Sequence, residues 1–317
     1  MFLEIDDTAP PLYDGGTDRH DRETPGFMCG IVGLFLKDKA LEPQLGALLA
    51  GMLEVMTDRG PDSAGFAVYG AGAPGHVKLT VRGADLDGLA DAIGGVKATV
   101  RDSHLVLSLP AAEEDRVRGW LALERPDLVV IGAGQRIELY KEVGLPADVA
   151  TRFNLAGMSG THGIGHTRMA TESAVTTDGA HPFSTGPDQC LVHNGSLSNH
   201  RSLRRMLEPH GIAFTTDNDS EVAAGYLSWK LREGASLAQA LEDSLDDLDG
   251  FFTFVVGTES GFAVLRDPIS CKPAVMAETD RYVAFGSEYR ALVGLPGIEH
   301  ARVFEPEPAR VYAWEHG

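Results

Sequence analysis

Short runs of apolar, β-branched and aromatic residues, each long enough for only one strand, recur along the chain and constrain its architecture more than any other feature. GIVGLFL at residues 30–36 is the first, and residues 64–69 and 76–82 follow. FFTFVVG begins at residue 251, FAVLR at 262, YVAFG at 282 and ARVYAW at 309, all of strand composition. Between them, residues 44–56 set Leu45, Leu48, Leu49, Met52, Leu53 and Met56 at helical spacing, and residues 219–231 place Val222, Ala223, Tyr226 and Leu227 on one face. Residues 199–209 follow Asn199, a good N-cap, and residues 236–247 open with Ser236 and Gln239 in a capping-box pattern. Many strands with a few amphipathic helices predict a layered α+β fold, sheets packed on each other and helices outside. Residues 83–155 read as an inserted α/β lobe, with a strand pair in KATVRDSHLVLSLP, a helix in EEDRVRGWLALERP and strand again in DLVVIGAGQRIELYKEV.

The formal net charge of −19 on 317 residues repels phosphates, which argues against nucleic acid and anionic membrane surfaces as partners. No apolar run approaches a membrane span. Cys29, Cys190 and Cys271 are odd in number and widely spaced, so neither a disulfide framework nor a metal cluster reads out of them. A reducing, cytoplasmic setting is the expectation. Residues 1–28 are rich in Asp, Pro and Gly and lack a basic start and an apolar stretch; they read as a disordered propeptide or as a start codon chosen upstream of Met28.

Five short motifs could carry chemistry. If Met28 begins the chain, its removal exposes Cys29, next to Gly30. An N-terminal Cys holds a nucleophile and, in its α-amine of pKa about 8, a base; a Cys-Gly pair is also an ordinary buried strand start. In GIGHTRMATES, Arg168 stands just past an apolar strand, where it could clamp a carboxylate or form a surface ion pair. LVHNGSLSN ends a strand in Asn194-Gly195, which is a common turn or a pair of oxyanion donors. In TTDNDSEVAA, Asp219 sits where a helix N-cap is expected, or offers a carboxylate to an ammonium group. DRGPDSAG, with Arg59 and Asp62, reads as a loop supporting Cys29.

Taken in order, CGIVG, RGPDSAG, GIGHTRMAT, HNGSLSN, NDSE, LDGFFTFVV, RDPISCKP and FGSE resemble the class II glutamine amidotransferases, which are N-terminal-nucleophile hydrolases. The resemblance covers roughly residues 29–315, less the insertion, and implies a four-layer αββα sandwich. It implies that Cys29 forms a γ-glutamyl thioester, that Asn194 and Gly195 form the oxyanion hole, and that Arg168 and Asp219 bind the two charged ends of L-glutamine. It counts Thr171, in the matching pocket strand, Arg59, on the loop beside Cys29, and His193 with Arg168 and Asp219 as the substrate-binding set, and gives His193 and His166 a structural role there because the amine already supplies the base. Met169 stands where a Trp usually follows the Arg, removing an aromatic surface which in some relatives contributes to gating ammonia.

GQRIELYKEVGLPADVA followed by GIGHTRMATES resembles the amidotransferase proteins of split glutamate synthases and N-methylglutamate synthases. That implies a separate synthase subunit receiving the ammonia, with FMN and an iron–sulfur cluster on the partner and no cofactor or metal in this chain. No P-loop pattern and no asparagine-synthetase loop occurs, and GAGQR at Gly132 leads into strand rather than helix. Two alternatives stay open: a stand-alone N-terminal-nucleophile amidohydrolase, and a non-catalytic subunit that binds glutamine.

Overall fold

The computed structural model describes residues 29–170 and 174–316. The chain begins with β1 (Gly30–Leu36), α1 (Leu45–Val55), β2 (Ser63–Tyr69), β3 (His76–Arg82), α2 (Leu89–Ile93), β4 (Lys97–Arg101) and β5 (His104–Pro110). It continues through α3 (Glu114–Glu124), β6 (Val129–Gly134), β7 (Ile137–Val143), α4 (Pro146–Arg152), β8 (His162–Arg168), β9 (Phe183–Gly186) and β10 (Gln189–Leu197). Then come α5 (His200–Leu207), α6 (Asp219–Arg232), α7 (Leu237–Asp247), β11 (Gly250–Gly257) and β12 (Gly261–Arg266). The last strands are β13 (Val275–Glu278), β14 (Tyr282–Gly286), β15 (Arg302–Phe304) and β16 (Tyr312–Glu315).

Two antiparallel sheets carry the fold, one ordered β15-β13-β14-β1-β8-β2-β7 and the other β16-β12-β11-β10-β9. Side-chain alternation sorts their residues into layers. On β1, Val32, Leu34 and Leu36 join α1, α4 and the even positions of β2 in one core. Ile31 and Phe35 point the other way, meeting Cys190, Val192, Val255, Phe262 and Val264 of the second sheet. Leu191 and Leu197 of β10 and Phe252, Phe254 and Val256 of β11 face α5, α6 and α7. Three successive cores therefore separate helices, sheet, sheet and helices: the fold is a four-layer αββα sandwich, as the resemblance implies.

The insertion has different limits from those expected. β2 and β7 pair in register from Ser63 with Val143 to Tyr69 with Ile137, so residues 70–136 are an excursion from the tip of one hairpin. Within it, β4-β5-β3-β6 form a separate sheet. Its apolar face, with Leu79, Val81, Leu105 and Leu107, packs on Leu89 and Ile93 of α2 and Val117 and Leu121 of α3. β3 pairs with β5 and β6, so the lobe spans 76–134 rather than 83–155, and β7 and α4 belong to the main sandwich. DLVVIGAGQRIELYKEV divides into two strands of different sheets. The Asp188 carboxylate holds the corner, accepting the main-chain N–H groups of Gln135, Arg136 and Ile137 at 2.6, 2.8 and 2.9 Å.

Two capping expectations are partly met. Ser236 Oγ accepts the Gln239 N–H at 3.1 Å, but the Gln239 amide turns to Asp243 instead of closing the box. Asn199 holds the N-cap position of α5 without a side-chain cap bond; its amide donates to the Asp247 carbonyl and its side-chain oxygen accepts from the Asp249 N–H.

His104, His162, His166, His181 and His193 are buried. Burial pushes the first three down to about 3 and lowers the other two from the ordinary imidazole value. Such a ring stays neutral in the fold but takes up a proton in the unfolded chain below pH about 6.5. The stability that these rings allow is thus complete above pH about 6.5 and is lost as pH falls toward the folded values. His104, His162 and His166 together account for a loss of up to about 4 kcal/mol per pH unit below pH about 6. The urea midpoint is expected to fall steeply between about pH 6.5 and 5, and a flat midpoint across that window would show that the rings protonate within the fold.

Candidate active site

Residue parity brings the candidate side chains together. Cys29 precedes β1 with the parity of Ile31, which faces the space between the sheets. Arg168, at the end of β8, has the parity of Ile164, and Asn194 that of Cys190 and Val192, all facing the same space. One residue beyond the pair Gly30–Thr167, Cys29 lies level with Arg168. Arg168 is the final residue of β8 rather than one past it.

Cys29 is free and half-buried, with Sγ 3.9 Å from the Met169 carbonyl oxygen. Its own carbonyl accepts from Asn194 Nδ2 at 3.0 Å and from Arg59 Nε at 3.3 Å. Arg59 is fixed in turn by Glu288, Nη1 to Oε1 at 2.6 Å. Burial pushes the thiol up from its ordinary value, while the Met169 main chain and the charges of Arg168 and Lys272 pull it back. The thiol therefore carries its proton at neutral pH, so it could serve as a nucleophile only beside a base that takes that proton.

The Asn194-Gly195 pair is a strand segment and not a turn: β10 pairs with β11 without interruption from Cys190 with Gly257 to Leu197 with Gly250. β9 covers the other edge of β10 only as far as Leu191. Along that open edge the His193 carbonyl accepts from His166 Nε2 at 3.2 Å, and the Leu197 N–H donates to Asp219 Oδ2 at 2.9 Å. By alternation the Gly195 N–H points off the same edge. Gly195 has φ +154°, and a Cβ there would lie 2.0 Å from the Phe251 carbonyl oxygen and 2.8 Å from His193 Nε2, so only glycine fits.

The DRGPDSAG loop packs against the end of β8. A Cβ on Gly60 would lie 2.4–2.5 Å from the Thr167 and Arg168 main chain. The Asp62 N–H donates to the Arg168 carbonyl at 3.1 Å, and its carboxylate accepts the Ala170 N–H at 2.7 Å. The loop thus sets the direction in which Arg168 leaves the strand; the Arg168 guanidinium also donates to the Ala174 carbonyl at 3.4 Å. Thr171 lies outside the described residues.

Asp219 is not the N-cap of α6. Asn218 is, accepting the Ser220 N–H at 2.9 Å, which leaves the Asp219 carboxylate on the Leu197 N–H and Ser220 Oγ. Glu221 anchors the preceding turn, accepting the main-chain N–H and the hydroxyl of both Thr215 and Thr216, each at 2.8 Å. His193 has the parity of Leu191, which faces the helices, and its Nδ1 lies 2.8 Å from Ser220 Oγ. Its imidazole therefore lies on the helix side of β10, not in the space between the sheets that Cys29, Arg168 and Asn194 face. Burial lowers it, Asp219 opposes that shift and Lys272 adds to it, so the ring is neutral.

Lys272 received no role from the sequence, although RDPISCKP was visible. Its charge acts on both the Cys29 thiol and His193. Buried Asp267 accepts the Ile269 and Ser270 N–H groups, and Arg266 donates to the Ser270 and Lys272 carbonyls, so the turn before Lys272 is held rigidly. FGSE also gained a role, since Ser287 Oγ accepts the Ile31 N–H at 2.9 Å and Glu288 holds Arg59. Among the described residues no three His, Cys, Asp or Glu side chains gather as a metal-ligand set, and no helix is long and apolar enough to cross a membrane. A cavity of about 450 Å³ between the lobe and β9, with Lys141 and Glu221 in its walls, contains none of the Cys29 cluster.

The family described as a glutamine amidotransferase domain matches residues 166–294. A protein of Rhizobium meliloti described as glutamine amidotransferase-like protein GlxB is 64% identical over 91% of this chain and 99% of its own length. A putative glutamine amidotransferase of Methanothermobacter thermautotrophicus is 36% identical over 90% of this chain and 99% of its own. Among solved structures, the glutamine phosphoribosylpyrophosphate amidotransferase of B. subtilis superposes with a TM-score of 0.58 at 21% identity. That match covers 90% of this chain and 47% of the other, so this chain spans about half of that structure. With relatives matched over nearly their whole length and a sandwich of the same fold, the chain belongs to the class II glutamine amidotransferase family.

Proposed function

We propose that the protein hydrolyses L-glutamine through a γ-glutamyl thioester on Cys29 and passes the ammonia to a separate synthase subunit. The observation that carries this reading is the convergence on Cys29 of Asn194 Nδ2, at 3.0 Å from its carbonyl, with the Arg168 charge that acts on its thiol. Arg168 clamps the α-carboxylate of glutamine and Asp219 takes the α-ammonium, which leaves the γ-amide at Sγ. As Sγ attacks the amide carbon, the thiol proton passes to the free α-amine of Cys29. The oxyanion falls between the second N–H of the Asn194 amide and the Gly195 N–H. When the C–N bond breaks, the α-ammonium returns the proton to the departing nitrogen and ammonia leaves. Water then gives a proton to the same amine as it attacks the thioester carbon; the C–S bond breaks, the ammonium returns that proton to Sγ, and glutamate leaves.

The amine is required because burial keeps the thiol protonated. Since the amine takes the thiol proton, kcat/KM is expected to rise with pH along one limb near the ordinary α-amine value of about 8. The ammonia acceptor belongs to a cytoplasmic synthase of the glutamate or N-methylglutamate type, with FMN and an iron–sulfur cluster on that partner; this rests on the GQRIELYKEVGLPADVA resemblance. The test is intact mass of the protein purified from its own cell, before and after diazo-oxo-norleucine. The expected chain starts at Cys29 and gains one adduct there. A chain that retains Met28 or takes up no adduct would overturn the mechanism.

A further inference from the structure

On the helix side of β10, two buried imidazoles meet one hydroxyl, and a third packs against them. Ser220 Oγ lies 2.7 Å from His181 Nε2, 2.8 Å from His193 Nδ1 and 3.3 Å from Asp219 Oδ1. His166 stacks on His181 with ring centroids 4.0 Å apart and reaches the His193 carbonyl through Nε2.

A hydroxyl offers one proton and two lone pairs. The Asp219 carboxylate only accepts, so the Ser220 proton goes to Oδ1 and both imidazoles must donate to Ser220 Oγ. That fixes His181 as the Nε2–H tautomer and His193 as the Nδ1–H tautomer. A carbonyl only accepts as well, so His166 is Nε2–H. The nitrogens left bare are then His166 Nδ1, His181 Nδ1 and His193 Nε2, and these three are the ring nitrogens of the cluster with no hydrogen-bond partner. With neutral rings, every other distribution of protons would bury an N–H without an acceptor, which costs more than a bare lone pair.

We propose that Ser220, held by His181 and His193, is a positioning residue that aims the Asp219 carboxylate at the substrate ammonium. This rests on the assignment of Asp219 as the ammonium ligand. The Ser220 hydroxyl fixes Oδ1 and the Leu197 N–H fixes Oδ2, so neither oxygen is free to turn. Because all three rings are neutral, none cancels the charge that an ammonium group would meet. His193 links both ends of the pocket: Nδ1 serves Asp219 through Ser220, and Nε2 lies against Gly195.

Long-range 15N–1H spectra of histidine-labelled protein test the network without any variant. They are expected to show Nδ1–H at His193 and Nε2–H at His181 and His166 at neutral pH. An Nε2–H at His193, or an Nδ1–H at His181, would overturn the proposal. Glutaminase kinetics test its purpose. Ser220→Ala is expected to raise KM for glutamine about tenfold with kcat within about threefold, the loss of one orienting hydrogen bond, and Ser220→Thr to restore it. If Asp219→Asn raises KM and Ser220→Ala does not, the positioning role is refuted while the glutamine reading stands. If Asp219→Asn leaves KM unchanged, the glutamine reading has failed, and the tautomers still decide the network.

Discussion

Cys29→Ala is expected to lower ammonia release from glutamine by about 10⁴-fold or more and to leave thermal unfolding almost unchanged. In a covalent mechanism the nucleophile is not one contributor among several, and what survives its removal is only the catalysis given by binding and the oxyanion donors. The fold has little reason to respond. Cys29 is half-buried, stands before β1, and offers its Asn194 and Arg59 contacts through the main-chain carbonyl, which alanine keeps. The thiol contributes only a 3.9 Å contact to Met169. Ammonia release and a melting curve on the same preparation separate the two effects. Unchanged release would remove Cys29 from the chemistry, whereas loss of both activity and folding would mean that the Cys29 side chain anchors the start of β1.

Asn194→Ala is expected to reduce kcat by about 10²–10³-fold, the usual effect of losing one oxyanion donor, with KM within about threefold. The asymmetry follows from timing, because the contact with the oxyanion forms only as charge develops on the oxygen. Alanine also abandons the Cys29 carbonyl, but Arg59 Nε still donates to it, so the nucleophile keeps one of its two restraints. Steady-state kinetics with glutamine decide the matter. A rise in KM with kcat intact would place Asn194 among the ground-state contacts and out of the oxyanion hole.

What the sequence disclosed was set by local physics. β1 was legible to the residue because GIVGLFL is apolar on both faces, as a strand between two cores must be. α1 and α6 were legible from their periodicity, and α7 from the Ser236 cap at its start. Asp219 was harder. Asn218 and Asp219 are both good caps, and what separates them is the Leu197 N–H from a strand 22 positions earlier. The Arg59–Glu288 bond joins residues 229 apart, and no window of sequence contains it. Lys272 was missed for the same reason, since its neighbourhood to Cys29 exists only once the second sheet closes over the first. The lobe was recognised but misplaced at both ends, because β3 and β7 are both strands by composition and only their partners assign them to different sheets.

The hairpin from which the lobe departs has a consequence for what the fold tolerates. Tyr69 and Ile137 face each other in register, so to the main sheet everything between them is a single loop. Loop-closure entropy grows only logarithmically, and lengthening a turn of about four residues to about seventy costs roughly 2–3 kcal/mol. The lobe has its own apolar core, and each side chain buried there is worth about 1.5–3 kcal/mol, so the excursion sustains itself. β1 and β8, which aim Cys29 and Arg168, exchange no ladder hydrogen bonds with it. The lobe is therefore free to grow, shrink or change its surface without moving the thiol.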